Sequence, residues 1–162
     1  MIEIIEKKDT SRITNEMRIE FAAVSDNEAF ARMAVAAFIT PLNPTLEELA
    51  DVKTAISEAV TNAVIHGYEN RNSLDDKVHM NCTLIGDVLK VEVGDHGVGI
   101  ADIKMAMEPL YTSRPELERS GMGFAFMEAF MDNLEVHSEP DRGTLVTMYK
   151  KIGLSSWIDS EE

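Results

Sequence analysis

At 162 residues the chain has room for one domain with a substantial core and not for two ordinary ones. Its 29 acidic and 15 basic residues leave a formal charge of -14, which disfavours nucleic acid and points to a protein partner or a small ligand. No apolar run approaches the roughly 18 residues of a membrane span, the N-terminus lacks a signal-peptide core, and the lone Cys82 excludes an internal disulfide, so a cytoplasmic protein with no nucleic-acid or membrane partner is expected.

Residues 1–16 mix charges with a short isoleucine cluster and read as a mobile N-terminal extension. The alternation of Met17, Ile19, Phe21 and Ala23 predicts a half-buried strand over 17–24. Ser25 and Glu28 have the spacing of a capping box, opening a helix through about Ile39 that Pro41 helps to stop. Thr45 and Glu48 form a second box, and the longer helix they open ends near Gly67. A polar loop over 68–77 follows.

Val78, Met80, Cys82 and Leu84 alternate with polar residues, and Gly86-Asp87 turns the chain into an apolar strand over 88–93, giving a hairpin. Phe124, Met127, Phe130 and Met131 have helical spacing, so a helix is expected from Gly123 to about Asn133. Strands over 134–138 and 144–149, turned by the stretch from Pro140 to Gly143, make a second hairpin. Residues 153–162 form an acidic C-terminal tail, and 17–152 a single folded unit. This order predicts an α+β two-layer sandwich, with helices on one face of a mixed, mostly antiparallel sheet.

On the long helix, Val52, Ala55, Ile56, Ala59, Val60, Ala63 and Val64 form a core-facing stripe. Glu58, Asn62 and His66 are spaced by four along its flank, where a carboxylate and a carboxamide one turn apart can offer oxygens to a hard cation or polar ligand. Asp95-x-Gly97-x-Gly99 follows directly on an apolar strand, and alternate glycines let a backbone turn tightly and approach a ligand. A dinucleotide fingerprint would need a third glycine and a parallel βαβ setting. Ser120-Gly121-Met122-Gly123 runs into a helix, whose free N–H groups and dipole suit phosphate oxygens. Arg114 and Arg119 lie on the preceding loop, where a guanidinium can meet a terminal phosphate.

In this order, Glu58-x-x-x-Asn62, Asp95-x-Gly97-x-Gly99, Gly121-x-Gly123 and Gly143-Thr144 resemble the four boxes of the GHKL ATPase superfamily, the Bergerat fold. The runs Ser57-Glu58-Ala59-Val60-Thr61-Asn62-Ala63, His66-Gly67-Tyr68 and Glu118-Arg119-Ser120-Gly121-Met122-Gly123-Phe124 resemble, more closely, its anti-sigma kinase family from sporulating bacteria. The resemblance covers about residues 15–151 and makes 17–152 a GHKL ATP-binding kinase domain.

That resemblance implies an anti-sigma factor and protein serine/threonine kinase. It would inhibit a sporulation sigma factor of the sigma F type and use ATP to phosphorylate a serine of an anti-anti-sigma partner. It implies Mg²⁺ bound through Asn62, the adenine amino group bound by Asp95, a pocket and lid shaped by Gly97, Gly99, Gly121 and Gly123, and Ser120 among the residues that bind the nucleotide. Glu58 would be the general base, Arg119 would contact the γ-phosphate, Thr144 would complete the adenine site through water, and Arg32 would touch the partner. A homodimer is implied, with its contact expected at the strand over 17–24 and the helix after it. A general-stress kinase of the same family and a non-catalytic ATP-gated sigma-binding module are the alternatives. A histidine kinase would also need a helical hairpin carrying a phosphoacceptor histidine, and none of His66, His79, His96 or His137 lies in such a segment.

Overall fold

The computed structural model describes residues 12–108 and 123–153. Five strands form one sheet: β1 (Ile13–Ala22), β2 (Lys77–Ile85), β3 (Val88–Asp95), β4 (Asn133–Glu139) and β5 (Gly143–Lys151), in the order β1-β2-β3-β5-β4. Every neighbouring pair runs antiparallel. The helices α1 (Asn27–Phe38), α2 (Leu46–Asn62) and α4 (Gly123–Phe130) belong to one packed layer, with a short α3 (Ile103–Ala106) after β3. The α+β sandwich expected from the sequence is the fold.

Strand alternation decides which face is covered. Val78, Met80, Cys82 and Leu84 on β2, and Leu89, Val91 and Val93 on β3, are buried beneath the helices, whereas the residues between them are only partly covered. Against them packs the α2 stripe, with Val52, Ala55, Ile56, Ala59, Val60, Ala63 and Val64 all buried. Each fully buried aliphatic side chain contributes about 1.5–3 kcal/mol, so this stripe fixes the height and rotation of α2 over the sheet. Cys82 lies inside this core, where burial pushes its thiol up to about 12; it is a packing residue.

Two local expectations near the start of the chain change. The first strand begins at Ile13 and ends at Ala22, so residues 13–16, assigned from sequence to the N-terminal extension, join the sheet. They pair with β2 through Ile13↔Ile85, Asn15↔Leu84 and Glu16↔Thr83, with a bulge between Ile13 and Asn15. Backbone pairing, which needs no apolar alternation, extends the strand there.

The capping box at Ser25 and Glu28 does not form. The residue before α1 is Asp26, which makes no side-chain cap bond, and Glu28 instead binds the Arg32 guanidinium (Oε1, 3.2 Å) and the Thr61 hydroxyl (Oε2, 3.4 Å). The second box does form, with the Glu48 N–H donating to Thr45 Oγ1 at 3.1 Å and the Thr45 N–H to Glu48 Oε1 at 2.9 Å. Glu48 also accepts the Gly153 N–H at 3.1 Å, clasping the end of the described chain to the start of α2.

Candidate functional site

The last turns of α2 set the site. Regular helix ends at Asn62, and Ala63–Gly67 continues as a π turn in which the Tyr68 N–H reaches back to the Ala63 carbonyl at 2.9 Å. Such widened turns recur at functional sites. Here the turn leaves the Gly67 carbonyl free of the helix to accept the Val98 N–H at 2.9 Å. The loop after β3 is thereby drawn against the end of α2.

Asp95, the last residue of β3, is only 8% exposed. Its Oδ1 accepts the Gly97 N–H at 2.9 Å. Burial pushes the carboxyl up to about 6, against the opposing pull of the Gly97 and Thr144 backbone bonds and of His96. The space around it is tight: a Cβ built on Gly67 would stand 2.8 Å from the Asp95 Cγ, and one on Gly97 would collide with the Gly67 carbonyl. Only glycines let these two backbone segments meet. Gly99 adopts φ +73° and closes the loop beside Glu139.

Thr144 lies across from Asp95 on β5. Its hydroxyl is 2.8 Å from that of Ser138, which also accepts the Ile100 N–H at 2.7 Å and donates to the Gly143 carbonyl at 3.0 Å. With that proton committed to Gly143, Thr144 donates to Ser138 and keeps lone pairs to offer a ligand.

A cavity of about 420 Å³ joins these parts, within the range of small-molecule sites. Asp95 and Thr144 lie at one wall, Asn62 on α2 and His66 in the π turn at another, and Gly123 and Phe124 at the start of α4. Val93, Val146, Ile100, Ala59 and Ala63 supply apolar surface suited to a flat ring. Asn62 and Glu58 converge on Gly123: a Cβ there would lie 3.1 Å from the Asn62 amide atoms and 3.2 Å from Glu58 Oε2. Glu58 itself stands one turn before Asn62 and does not line the cavity.

The structure thus brings together Asn62, Asp95, Gly97, Gly99, Gly123 and Thr144, with Glu58 at the margin. Arg119, Ser120 and Gly121 lie outside the described residues. Arg32 is set apart on α1, paired with Glu28 and linked through it to Thr61, the neighbour of Asn62. No group of three or more metal-ligating side chains occurs among the described residues. Asn62 nevertheless suits Mg²⁺ held mainly by phosphate oxygens and water, a mode in which the protein supplies one or two oxygens. Sequence reading missed Ser138 and Tyr68. The only signal for Ser138 was its place in the second hairpin opposite Thr144.

Residues 21–150 match the family described as the histidine kinase-like ATPase domain. The chain is 56% identical over 144 residues to an anti-sigma F factor of Oceanobacillus iheyensis, covering 89% of this chain and 97% of that protein. It is 57% identical over 138 residues to one of Clostridium perfringens, covering 85% and 97%. Among solved structures, the RsbU and RsbW domains of a Mycobacterium tuberculosis protein share its fold, with a TM-score of 0.61 at 21% identity. That match covers 86% of this chain, which spans only 33% of the other. No helix among the described residues is long and apolar enough to cross a membrane.

Proposed function

The chain belongs to the histidine kinase-like ATPase family and, within it, to the anti-sigma F factors, and from that premise we propose a sigma-factor antagonist that is also an ATP-dependent protein serine kinase. Its partners are a sporulation sigma factor and an anti-anti-sigma protein that carries the acceptor serine. The observation that carries the kinase reading is the division of labour at the end of α2: Asn62 lines the cavity while Glu58, one turn earlier, stands just outside it.

In this reading Asp95 accepts a hydrogen bond from the adenine amino group in the cavity, and Thr144 completes that contact through water. Gly97, Gly99, Gly121 and Gly123 give the backbone room to follow the ligand. The described lining contains Glu69, Asp102 and Glu108 but neither lysine nor arginine. Neutralisation of the phosphates therefore falls to a metal ion held by Asn62 and to Arg119, with Ser120 and the N–H groups that lead into α4 assisting. When bound, Mg²⁺ supplies Lewis-acid stabilisation of charge on the phosphate oxygens.

Glu58 accepts the proton of the partner's serine hydroxyl as that oxygen bonds to the γ-phosphorus. The bond from phosphorus to the β,γ-bridging oxygen breaks, and its electron pair leaves with ADP. Arg32 contacts the partner. Among the described residues β1 is an edge strand of the sheet, the kind of edge a second copy can pair with, and we place a homodimer contact at it and α1. The cytoplasm, where ATP and sigma factors occur, is the compartment this reading requires.

Transfer of labelled γ-phosphate to a purified anti-anti-sigma protein tests the assignment. Glu58→Gln should lose transfer and keep ATP binding; full transfer by that variant removes Glu58 as the base.

A further inference from the structure

Tyr68 follows the π turn directly, and its ring is 3% exposed. Phenylalanine would fill the same space, so packing alone does not account for the hydroxyl. That hydroxyl donates to the Lys77 carbonyl at 2.6 Å and accepts the His96 N–H at 2.8 Å. It ties the end of α2, the entrance of β2 and the residue next to Asp95 to a single oxygen. The Arg71 guanidinium stands over the ring, 5.7 Å from its centre, and pairs with Asp76 at 3.1 Å.

The β3–β5 ladder ends at Asp95↔Thr144, and beyond it the backbone has lost its strand partner. The next three amides are each satisfied from a different source: His96 by the Tyr68 hydroxyl, Gly97 by the Asp95 carboxylate and Val98 by the Gly67 carbonyl. Two of these acceptors, on Gly67 and Tyr68, lie at the end of the π turn. The third is the group proposed to read the nucleotide base. Removing the Tyr68 hydroxyl leaves the His96 N–H without its acceptor and frees the peptide that carries Asp95 on its other side.

We infer that Tyr68 is a positioning residue for base specificity, its hydroxyl holding the His96 backbone so that Asp95 faces the 6-amino group of a purine. This rests on the reading that Asp95 accepts from that amino group. Tyr68 touches no ligand in this scheme; it acts by narrowing the directions in which the Asp95 oxygens point. A loosened carboxylate still accepts a hydrogen bond but discriminates less between a purine that offers one and a purine that does not.

The test compares dissociation constants for ATP and for purine riboside triphosphate, which lacks the 6-amino group, using the full chain with Mg²⁺. Wild-type protein should prefer ATP by about tenfold or more, the worth of one well-made hydrogen bond to a charged acceptor. In Tyr68→Phe the preference should fall below about threefold. General damage to the fold weakens both ligands alike and leaves the ratio where it was. No preference in the wild type would overturn the Asp95 reading and the inference with it. A wild-type preference retained in Tyr68→Phe would overturn the role of Tyr68 alone. Should that variant not fold, amide exchange of the wild-type protein decides: the His96 N–H should be protected without nucleotide, and exchange at the rate of an open loop refutes the inference.

Discussion

The Asp95 carboxylate rests against the Cα of Gly67, so that one added methyl at residue 67 would stand 2.8 Å from its Cγ. Gly67→Ala should therefore push the carboxylate out of place or pry the β3 loop from α2. Overpacking of this kind costs about 1–3 kcal/mol, and ATP affinity should fall about tenfold or more with it. Thermal unfolding and nucleotide titration of the same preparation check both; an alanine variant with native affinity would mean the loop has slack.

Asp95 also gives the nucleotide-free protein a pH signature. Its carboxyl is raised from an ordinary 3.8 to about 6 by burial, so the folded state holds the proton more tightly than the unfolded chain does. The contribution of Asp95 to stability is fullest below about pH 4 and is lost as pH rises through 6. Asp95→Asn cannot ionise and escapes this loss. At pH 7 it should be more stable than wild type by as much as about 3 kcal/mol, the gap closing toward pH 4, while ATP binding weakens. Urea unfolding of both proteins from pH 4 to 8 reads the effect; a gap that ignores pH would assign it to something other than ionisation.

Glu58 and Asn62 should separate kinetically although they sit one turn apart. Glu58→Gln should lower phosphoryl transfer by about 10²–10⁴-fold, the usual worth of a general base, with the ATP dissociation constant little changed. Asn62→Ala should weaken Mg²⁺-dependent ATP binding first and transfer as a consequence. Equal loss of binding in both variants would contradict the division.

Arg32→Ala removes a half-exposed ion pair with Glu28. Its effect on stability should stay within about 0.5 kcal/mol, whereas partner binding should drop severalfold. Calorimetric titration with the sigma factor and with the anti-anti-sigma protein measures this, and unchanged affinity for both partners would remove Arg32 from the contact.

Glu48→Ala loses both halves of its work, the capping box with Thr45 and the bond to the Gly153 N–H. Destabilisation of about 1–2 kcal/mol is expected. If Glu48→Gln restores most of it, hydrogen bonding rather than charge is responsible.

How much of this was legible beforehand follows from the physics of each signal. The α2 stripe and the alternation of β2 announce themselves because burial repeats at the period of the element, and both are buried as the pattern required. The opening of β1 gave no such signal, since residues 13–16 are exposed and enter the sheet mainly through backbone pairing, with the Thr14 hydroxyl donating to the Leu84 carbonyl at 3.5 Å. Ser25 and Glu28 had the spacing of a cap, but spacing cannot reveal that Arg32 and Thr61 compete for the same carboxylate. Asp95 and its glycines were visible as a motif. The π turn and Tyr68 were not, because their partners lie about ten and thirty residues further along the chain.

Cys82 carries a practical consequence. It is the only cysteine of the chain, sealed in the core with its thiol held at about 12, so maleimide or spin-label reagents should pass it by at neutral pH while the protein stays folded. A single cysteine placed at the exposed Leu74, or on the outer face of α1 at Met33, would then be the one site to react. Distances between labelled copies, or between a copy and its partner, become measurable on a chain that keeps its native cysteine.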